Sequence, residues 1–294
     1  MRPLKMNVIT DERCMAYHEP GHAERPQRIA GTLTRLRAQD ALPITWHTPT
    51  EASDEALLRA HAPDHLHRVA TPVGPFDSDT PDYPQIDAHA RRSAGAALRA
   101  LQLAREGSPV FSLMRPPGHH ATSDRAMGFC YFNSVAVAAL AARAAGLAKV
   151  AVFDFDVHHG NGTEAILRGR EGCAFFSIHQ HPAYPGTGAR SVDNCRNYPV
   201  PPEAPREDWR GRAQEALADL KDFAPDLVAV SAGFDAYKLD PLCQQQLEAG
   251  DFHWMGDQLR RLGVPLVNVL EGGYSRDLPD LIFSYLRGIS GAPA

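Results

Sequence analysis

Apolar positions along the chain fall into short, nearly unbroken runs separated by longer stretches of helical period. The runs are SPVFSLM (108–114), KVAVFDF (149–155), CAFFSI (173–178), DLVAVSAG (226–233) and VPLVNVLEG (264–272). Apolar on both faces of the pleat, they suit strands buried in a parallel sheet. Helical period marks PQRIAGTLTRLRAQ (26–39), DAHARRSAGAALRALQLAR (87–105), NSVAVAALAARAAG (133–146), REDWRGRAQEALADLKDF (206–223) and FHWMGDQLRRLG (252–263). Strands alternating with helices predict an α/β fold, a parallel sheet flanked by helices on both faces. No internal repeat or low-complexity linker interrupts the chain, so residues 1–294 read as a single domain. The proline-rich YPVPPEAP (198–205) reads as a loop before the 206–223 helix.

The polar motifs sit at one place in this pattern. RPPGHH follows the 108–114 strand, DVHHGNG the 149–155 strand, HQH the 173–178 strand, GFDA the 226–233 strand and EGGY the 264–272 strand. Open α/β sheets bind ligands at the carboxyl ends of their strands, so these motifs are expected to converge on one site.

Composition narrows the chemistry. Hydrophobic residues make up 44% and charged residues 22% of the 294, an ordinary soluble balance. The formal net charge of −5 comes with no dense Lys or Arg run, which argues against a nucleic-acid partner. Five scattered cysteines without a CxxC pair argue against a zinc ribbon or disulfide scaffold. No segment has the length of a bilayer span, and MRPLKMNVIT lacks the apolar core of a signal peptide, so a cytoplasmic location is expected. Histidine is the abundant residue, with fourteen, several beside Asp, Gly or another His.

On a strand, Asp154, Asp156 and His158 point to one face. Two carboxylates and an imidazole at a buried strand end are costly unless a metal or partners compensate them, the alternative being a solvated strand end. Asp235, after another buried strand, offers a third ligand. Asp156, His158 and Asp235 then make three protein ligands with open positions, the pattern of a catalytic metal centre. The tandem His119-His120 offers a general base, with Asp154 and Asn161 as partners to orient the rings. Tyr274 offers a phenol donor to a developing oxyanion, against the plainer reading of a buried structural tyrosine.

RPPGHHA (115–121), GFCYFNSVAVAA (128–139), DFDVHHGNGT (154–163), YPGTG (184–188), SAGFDA (231–236) and LEGGY (270–274) resemble, in order, the signature blocks of the histone deacetylase family. That family includes bacterial acetylpolyamine amidohydrolases and shares its fold with arginases. With the opening DERCMAYHEPGHAERPQRI, the resemblance spans essentially the whole chain. It implies an arginase/deacetylase-like fold and Zn²⁺ held by Asp156, His158 and Asp235, ligands that Fe²⁺ also suits. It makes His120 the base and then the acid, backed by Asn161, with His119 beside it on Asp154 and Tyr274 as oxyanion donor. Many members carry Asp where Asn161 stands, which implies tuning of His120. Asp154, the backbone of Asp156 and His158, and Ser177 match the family's buried K⁺ site. Gly128, Phe129 and Tyr184 would wall the substrate tunnel, with Leu242 at its mouth, Asp79 holding substrate at the rim and Arg28 lining an internal product channel.

The activity so implied is removal of an acetyl group from an amine, foremost an acetylated lysine of a protein or peptide. The rival substrate is an acetylated polyamine or other small amine, although Leu242 stands where some polyamine-selective relatives carry Glu. An arginase-like binuclear manganese centre would need more carboxylates than DFDVHHG supplies. A non-catalytic binder would not need His120, Tyr274 and all three ligands. Oligomeric state is left open. His61, His65 and His67 lack a carboxylate framework and read as surface or core-edge residues; His18 and His22 as shaping a loop near the site. His179 and His181 read as neighbours of the site, and Asp193 and Cys195 as loop residues.

Overall fold

A computed structural model describes residues 3–294; the first two residues of the 1–294 span lie outside the described residues. In chain order the first half comprises β1 (Met6–Ile9), α1 (Gln27–Arg37), β2 (Ile44–His47), α2 (Asp54–Leu57), α3 (Pro63–Ala70), α4 (Ile86–Arg105), β3 (Val110–Ser112) and α5 (Ser134–Ala144). The second comprises β4 (Val150–Asp154), α6 (Asn161–Leu167), β5 (Cys173–Gln180), β6 (Cys195–Val200), α7 (Arg206–Phe223), β7 (Leu227–Ala232), α8 (Ala249–Arg260), β8 (Leu266–Leu270) and α9 (Leu278–Ser290). The strands form one parallel sheet in the order β2-β1-β3-β8-β7-β4-β5-β6.

All five apolar runs are strands, and β3, β4, β5, β7 and β8 are buried at every position. The helices pack in two groups: α4 against α5, with α2, α3 and α6 beside them, and α9 against α1 and α8, with α7 joining α8. Between α9 and the sheet, Tyr285 packs on Phe155 and Phe234 at ring centroid distances of 5.3 and 5.8 Å. Its hydroxyl donates to Asn268 Oδ1 at 2.6 Å, while Asn268 Nδ2 donates to Val110 O at 2.8 Å, so a buried amide is satisfied by sheet and helix together.

The structure corrects several expectations. The segment taken as a loop from Tyr198 begins inside β6, and Cys195 opens that strand. β6 is an edge strand, where Pro199 deprives no central ladder of a donor. β1 and β2 have four residues each, too few for a period to show. HQH does not follow β5: His179 and Gln180 are its last two residues. His61 and His65 are buried, not surface residues, whereas His67 is exposed. His61 Nδ1 lies 2.9 Å from Thr122 O, and its Nε2 accepts from Asn133 N at 2.9 Å.

What the order achieves is adjacency. β3, β8, β7 and β4 are consecutive in the sheet, so RPPGHH, EGGY, GFDA and DVHHGNG leave four neighbouring carboxyl ends. Residues far apart in the chain meet there because the sheet interleaves late strands between early ones.

Candidate active site

β4 ends at Asp154, and its side chain is one reason: Oδ1 accepts from Asp156 N at 3.1 Å, and Asp156 Oδ1 accepts from His158 N at 2.9 Å. These successive Asx-type bonds turn the chain where a strand would continue. Asp154, Asp156 and His158 therefore converge through turns and not through strand alternation, which corrects the geometric ground of the sequence expectation.

One ligand atom each from Asp156, His158 and Asp235 falls within a sphere where all lie at most 4.8 Å apart. His158 Nδ1 is 3.1 Å from both Asp156 Oδ1 and Asp235 Oδ2. Burial disfavours the imidazolium, yet the two carboxylates hold the His158 pKa well above the ordinary value. Burial also works against the Asp156 carboxylate, but His119 and His158 pull its pKa down, while burial and the Asp156 charge push Asp235 up. Two carboxylates and an imidazole gathered so closely in a buried place are a donor set that a divalent cation fits, since metal binding displaces protons from such ligands. Backbone crowds this point closely: a Cβ on Gly272 would stand 2.0 Å from Asp235 Oδ2, so only glycine lets the chain beyond β8 pass there. Gly272 N instead donates to Asp156 Oδ2 at 2.7 Å.

The paired histidines take the partners expected of them. His119 Nδ1 lies 3.1 Å from Asp154 Oδ2, and His120 Nδ1 lies 2.8 Å from Asn161 Oδ1. The rings lean on one another at 4.0 Å. Burial opposes charge on His119, but Asp156 and Asp154 raise its pKa to about 10. Burial, then the positive charge of His119 and His158, drives the pKa of His120 well below its usual value. The carboxylates thus favour the charged form of one ring, and burial the neutral form of its neighbour.

His119, His120, His158, Tyr274, Gly128, Phe129, Tyr184, Leu242 and Asp79 together line a cleft of about 240 Å³, with Pro117. Tyr184 and Leu242 are partly exposed at its mouth, Asp79 is exposed at the rim, and Tyr274 is buried. Arg28 lies outside that lining but close behind it, its guanidinium 4.9 Å from the Tyr274 ring centroid. Ser177 is the register partner of Asp154 across β4 and β5, and its hydroxyl lies 2.9 Å from His179 Nδ1. His22 lies against Phe129 at 4.7 Å. His18 borders a separate cavity of about 540 Å³ that reaches Arg28 and Tyr274 from the other side.

Several supporting residues escaped the sequence reading. Buried Glu271 accepts from Gly118 N at 2.6 Å and His119 N at 3.1 Å, pinning the histidine loop to the segment after β8 that carries Tyr274. Asp240 accepts from Tyr274 N at 2.7 Å and Ser275 N at 3.2 Å, fixing the turn after the glycines. Glu24 lies between two buried guanidiniums, bonding Arg115 Nε and NH2 and Arg28 NH1. Arg28 in turn donates to Gly273 O at 2.7 Å and to Glu271 O. Glu271 stands in the EGGY motif, but nothing in a linear pattern tells which distant amides a carboxylate will meet.

Comparison with known proteins agrees with this geometry. Residues 22–285 match the Histone deacetylase domain. The chain is 39% identical over 285 residues to a histone deacetylase-like amidohydrolase of Pseudomonas aeruginosa, covering 87% of this chain and 73% of that one. It superposes on the crystal structure of the HDA15 HD domain with a TM-score of 0.90 at 33% identity, over 99% of this chain and 90% of that one. The acetylpolyamine aminohydrolase of Burkholderia pseudomallei gives a TM-score of 0.83 at 28% identity, over 97% of this chain and 98% of that one. Fold and site define an α/β protein of the arginase/deacetylase type. The chain belongs to the histone deacetylase family, a family of deacetylases and amidohydrolases.

Proposed function

We propose that this protein is a zinc-dependent deacetylase that hydrolyses the acetyl amide of N-ε-acetyl-lysine in a protein or peptide. The observation that carries the reading is the single cleft into which His119, His120, His158 and Tyr274 all open, beside the Asp156–His158–Asp235 triad. Those three residues would hold the zinc ion, which when bound polarises the amide carbonyl and makes water nucleophilic near neutral pH.

The chain's own groups account for the proton movements. Asn161 Oδ1 can only accept, so the His120 hydrogen sits on Nδ1 and Nε2 is left as the base. His120 takes a proton from the attacking water and returns it to the leaving amine. His119, whose charged form its partner Asp154 favours, lends positive charge beside it. The Tyr274 hydroxyl donates to the carbonyl oxygen as negative charge builds there. Phe129 and Tyr184 give the aliphatic stem an aromatic wall whose inner end, where the Phe129 ring meets that of Tyr274 at 5.8 Å, also borders the acyl group, and Asp79 supplies an acceptor for substrate N–H groups at the rim.

An acetylated polyamine is the second reading, favoured by the Burkholderia neighbour. Against it, Asp79 is the one carboxylate among the lining residues, and Leu242 presents an apolar side chain at the mouth. The deciding experiment compares kcat/KM of zinc-loaded protein on an acetyl-lysine peptide and an N-acetylated diamine, each with a chelated control. Preference for the peptide is the expected result. Preference for the diamine replaces the lysine reading, and no chelator-sensitive turnover on either overturns the deacetylase reading for this chain.

A further inference from the structure

The turn that walls the cleft is held by side chains that do not line it. Gly128 and Phe129 lie consecutively in the left-handed region, with φ of +56° and +70°. At 128 only glycine fits, because a Cβ would stand 2.6 Å from the His120 ring. Phe129 has no such freedom; a bulky L-residue leaves that region unless something holds it.

Two acceptors hold it. Gly128 N donates to Asp77 Oδ2 at 3.1 Å, and Phe129 N donates to Thr80 Oγ1 at 3.0 Å. Thr80 is fully buried. Asp77 uses its other oxygen to accept from Asp79 N at 2.9 Å, and Phe76 N donates to Thr80 O at 2.9 Å, so segment 76–80 is itself closed. The Phe129 ring then rests between His22 at 4.7 Å and Tyr274 at 5.8 Å.

We infer that Thr80, with Asp77 beside it, is a specificity-determining positioning residue: it fixes the Gly128–Phe129 turn and so sets the length of acyl chain the cleft accepts. Its hydroxyl oxygen meets the amide of the residue that bears the strain. Without that acceptor a part-buried N–H loses its partner and Phe129 is free to relax toward right-handed or extended backbone, carrying its ring away from Tyr274. A wider cleft gives up its fit to acetyl and admits longer acyl groups. The kinetic part of this inference rests on the deacylase reading; the conformational part does not.

The test uses the full chain loaded with zinc, with Thr80→Val removing the acceptor at near-constant volume and Thr80→Ser restoring it. Amide hydrogen exchange at Phe129 and kcat/KM on acetyl- and butyryl-lysine peptides are measured for each. In Thr80→Val, exchange at Phe129 should rise about tenfold and the acetyl-to-butyryl preference fall about tenfold, the size of one lost hydrogen bond. The change should lie in KM, with kcat on the acetyl peptide little altered, and Thr80→Ser should restore both readouts. Native-like exchange in Thr80→Val overturns the inference, and so does faster exchange with an unchanged acyl preference, which is what mere loosening of the fold would give. A wild-type protein inactive on both peptides fails the deacylase reading instead. The same preference is then read from calorimetric binding of the two peptides, and an unchanged ratio there sinks the inference as well.

Discussion

Asn161 Oδ1 faces His120 Nδ1 at 2.8 Å, while the amide nitrogen of Asn161 donates to Met127 Sδ at 3.4 Å and to the His120 carbonyl at 3.5 Å. The amide thereby acts as a neutral acceptor to the imidazole and fixes its tautomer without adding charge. An aspartate there would fix the same tautomer and stabilise the imidazolium too.

Asn161→Asp should therefore raise the pKa of His120. The base must be unprotonated to act, so the acid limb of kcat/KM against pH should move to higher pH. A pH–rate profile of the two proteins checks this, and a limb that stays in place or moves to lower pH removes Asn161 as the tuning partner.

Tyr274→Phe should lower kcat by roughly 10²–10³, the usual cost of one lost oxyanion donor. Zinc content and KM should change little, since the ring still packs on Phe129. A fully active variant would show that the hydroxyl plays no part in the reaction.

Chelation should abolish turnover and lower Tm, because a ligand bound by the folded state alone stabilises it. Asp235→Ala should weaken zinc retention in competition with a chelator while the apo protein keeps its circular dichroism. Unchanged zinc affinity would take Asp235 out of the ligand set.

His61 predicts a pH dependence of stability away from the site. Burial, then the nearby His65, lowers its pKa to about 3, and its Nε2 already accepts the Asn133 N–H. A proton there would collide with that donor. The unfolded chain protonates His61 near pH 6.5 and the folded chain only near 3, so stability is complete above 6.5 and is lost progressively toward 3. Denaturant titrations between those limits should show the loss, with a flatter slope in His61→Gln; equal slopes would exclude His61 as the cause.

Glu24→Gln should destabilise the fold by about 3–5 kcal/mol, because it strips the counter-charge from the buried guanidiniums of Arg115 and Arg28. Urea unfolding measures this directly, and a cost below about 1 kcal/mol would mean that the carbonyls around Arg115 suffice.

The central sheet was legible because the runs at 108–114, 149–155, 173–178, 226–233 and 264–272 are apolar on both faces, which parallel strands require and few other elements tolerate. The outer strands were not. β2 is half exposed, and β6 carries Pro199, which sequence reasoning takes as a breaker and an edge accommodates. The candidate metal triad and the histidine pair could be named because their motifs join strand ends to chemistry-bearing residues. Thr80, Asp77, Glu271 and Asp240 could not, because each serves backbone amides remote in sequence whose positions only the folded chain defines. His61 and His65 were misplaced for the same reason: their partners are backbone groups at 122, 131 and 133.

The place of β8 in the sheet has a consequence for biogenesis. Residues 266–270 lie between β3 and β7, and among the described residues no other strand joins them. Until that stretch leaves the ribosome, β2-β1-β3 and β7-β4-β5-β6 are two half-sheets with open inner edges. Each carries part of the chemistry: His119 and His120 follow one, and Asp156, His158 and Asp235 follow the other. The candidate triad is itself incomplete until then, because Asp156 Oδ2 accepts from Gly272 N, just after β8. From the completion of β3 at Ser112 until β8 is made at Leu266–Leu270, the apolar inner edge of β3 has no partner strand, the interval in which a chaperone has most to protect.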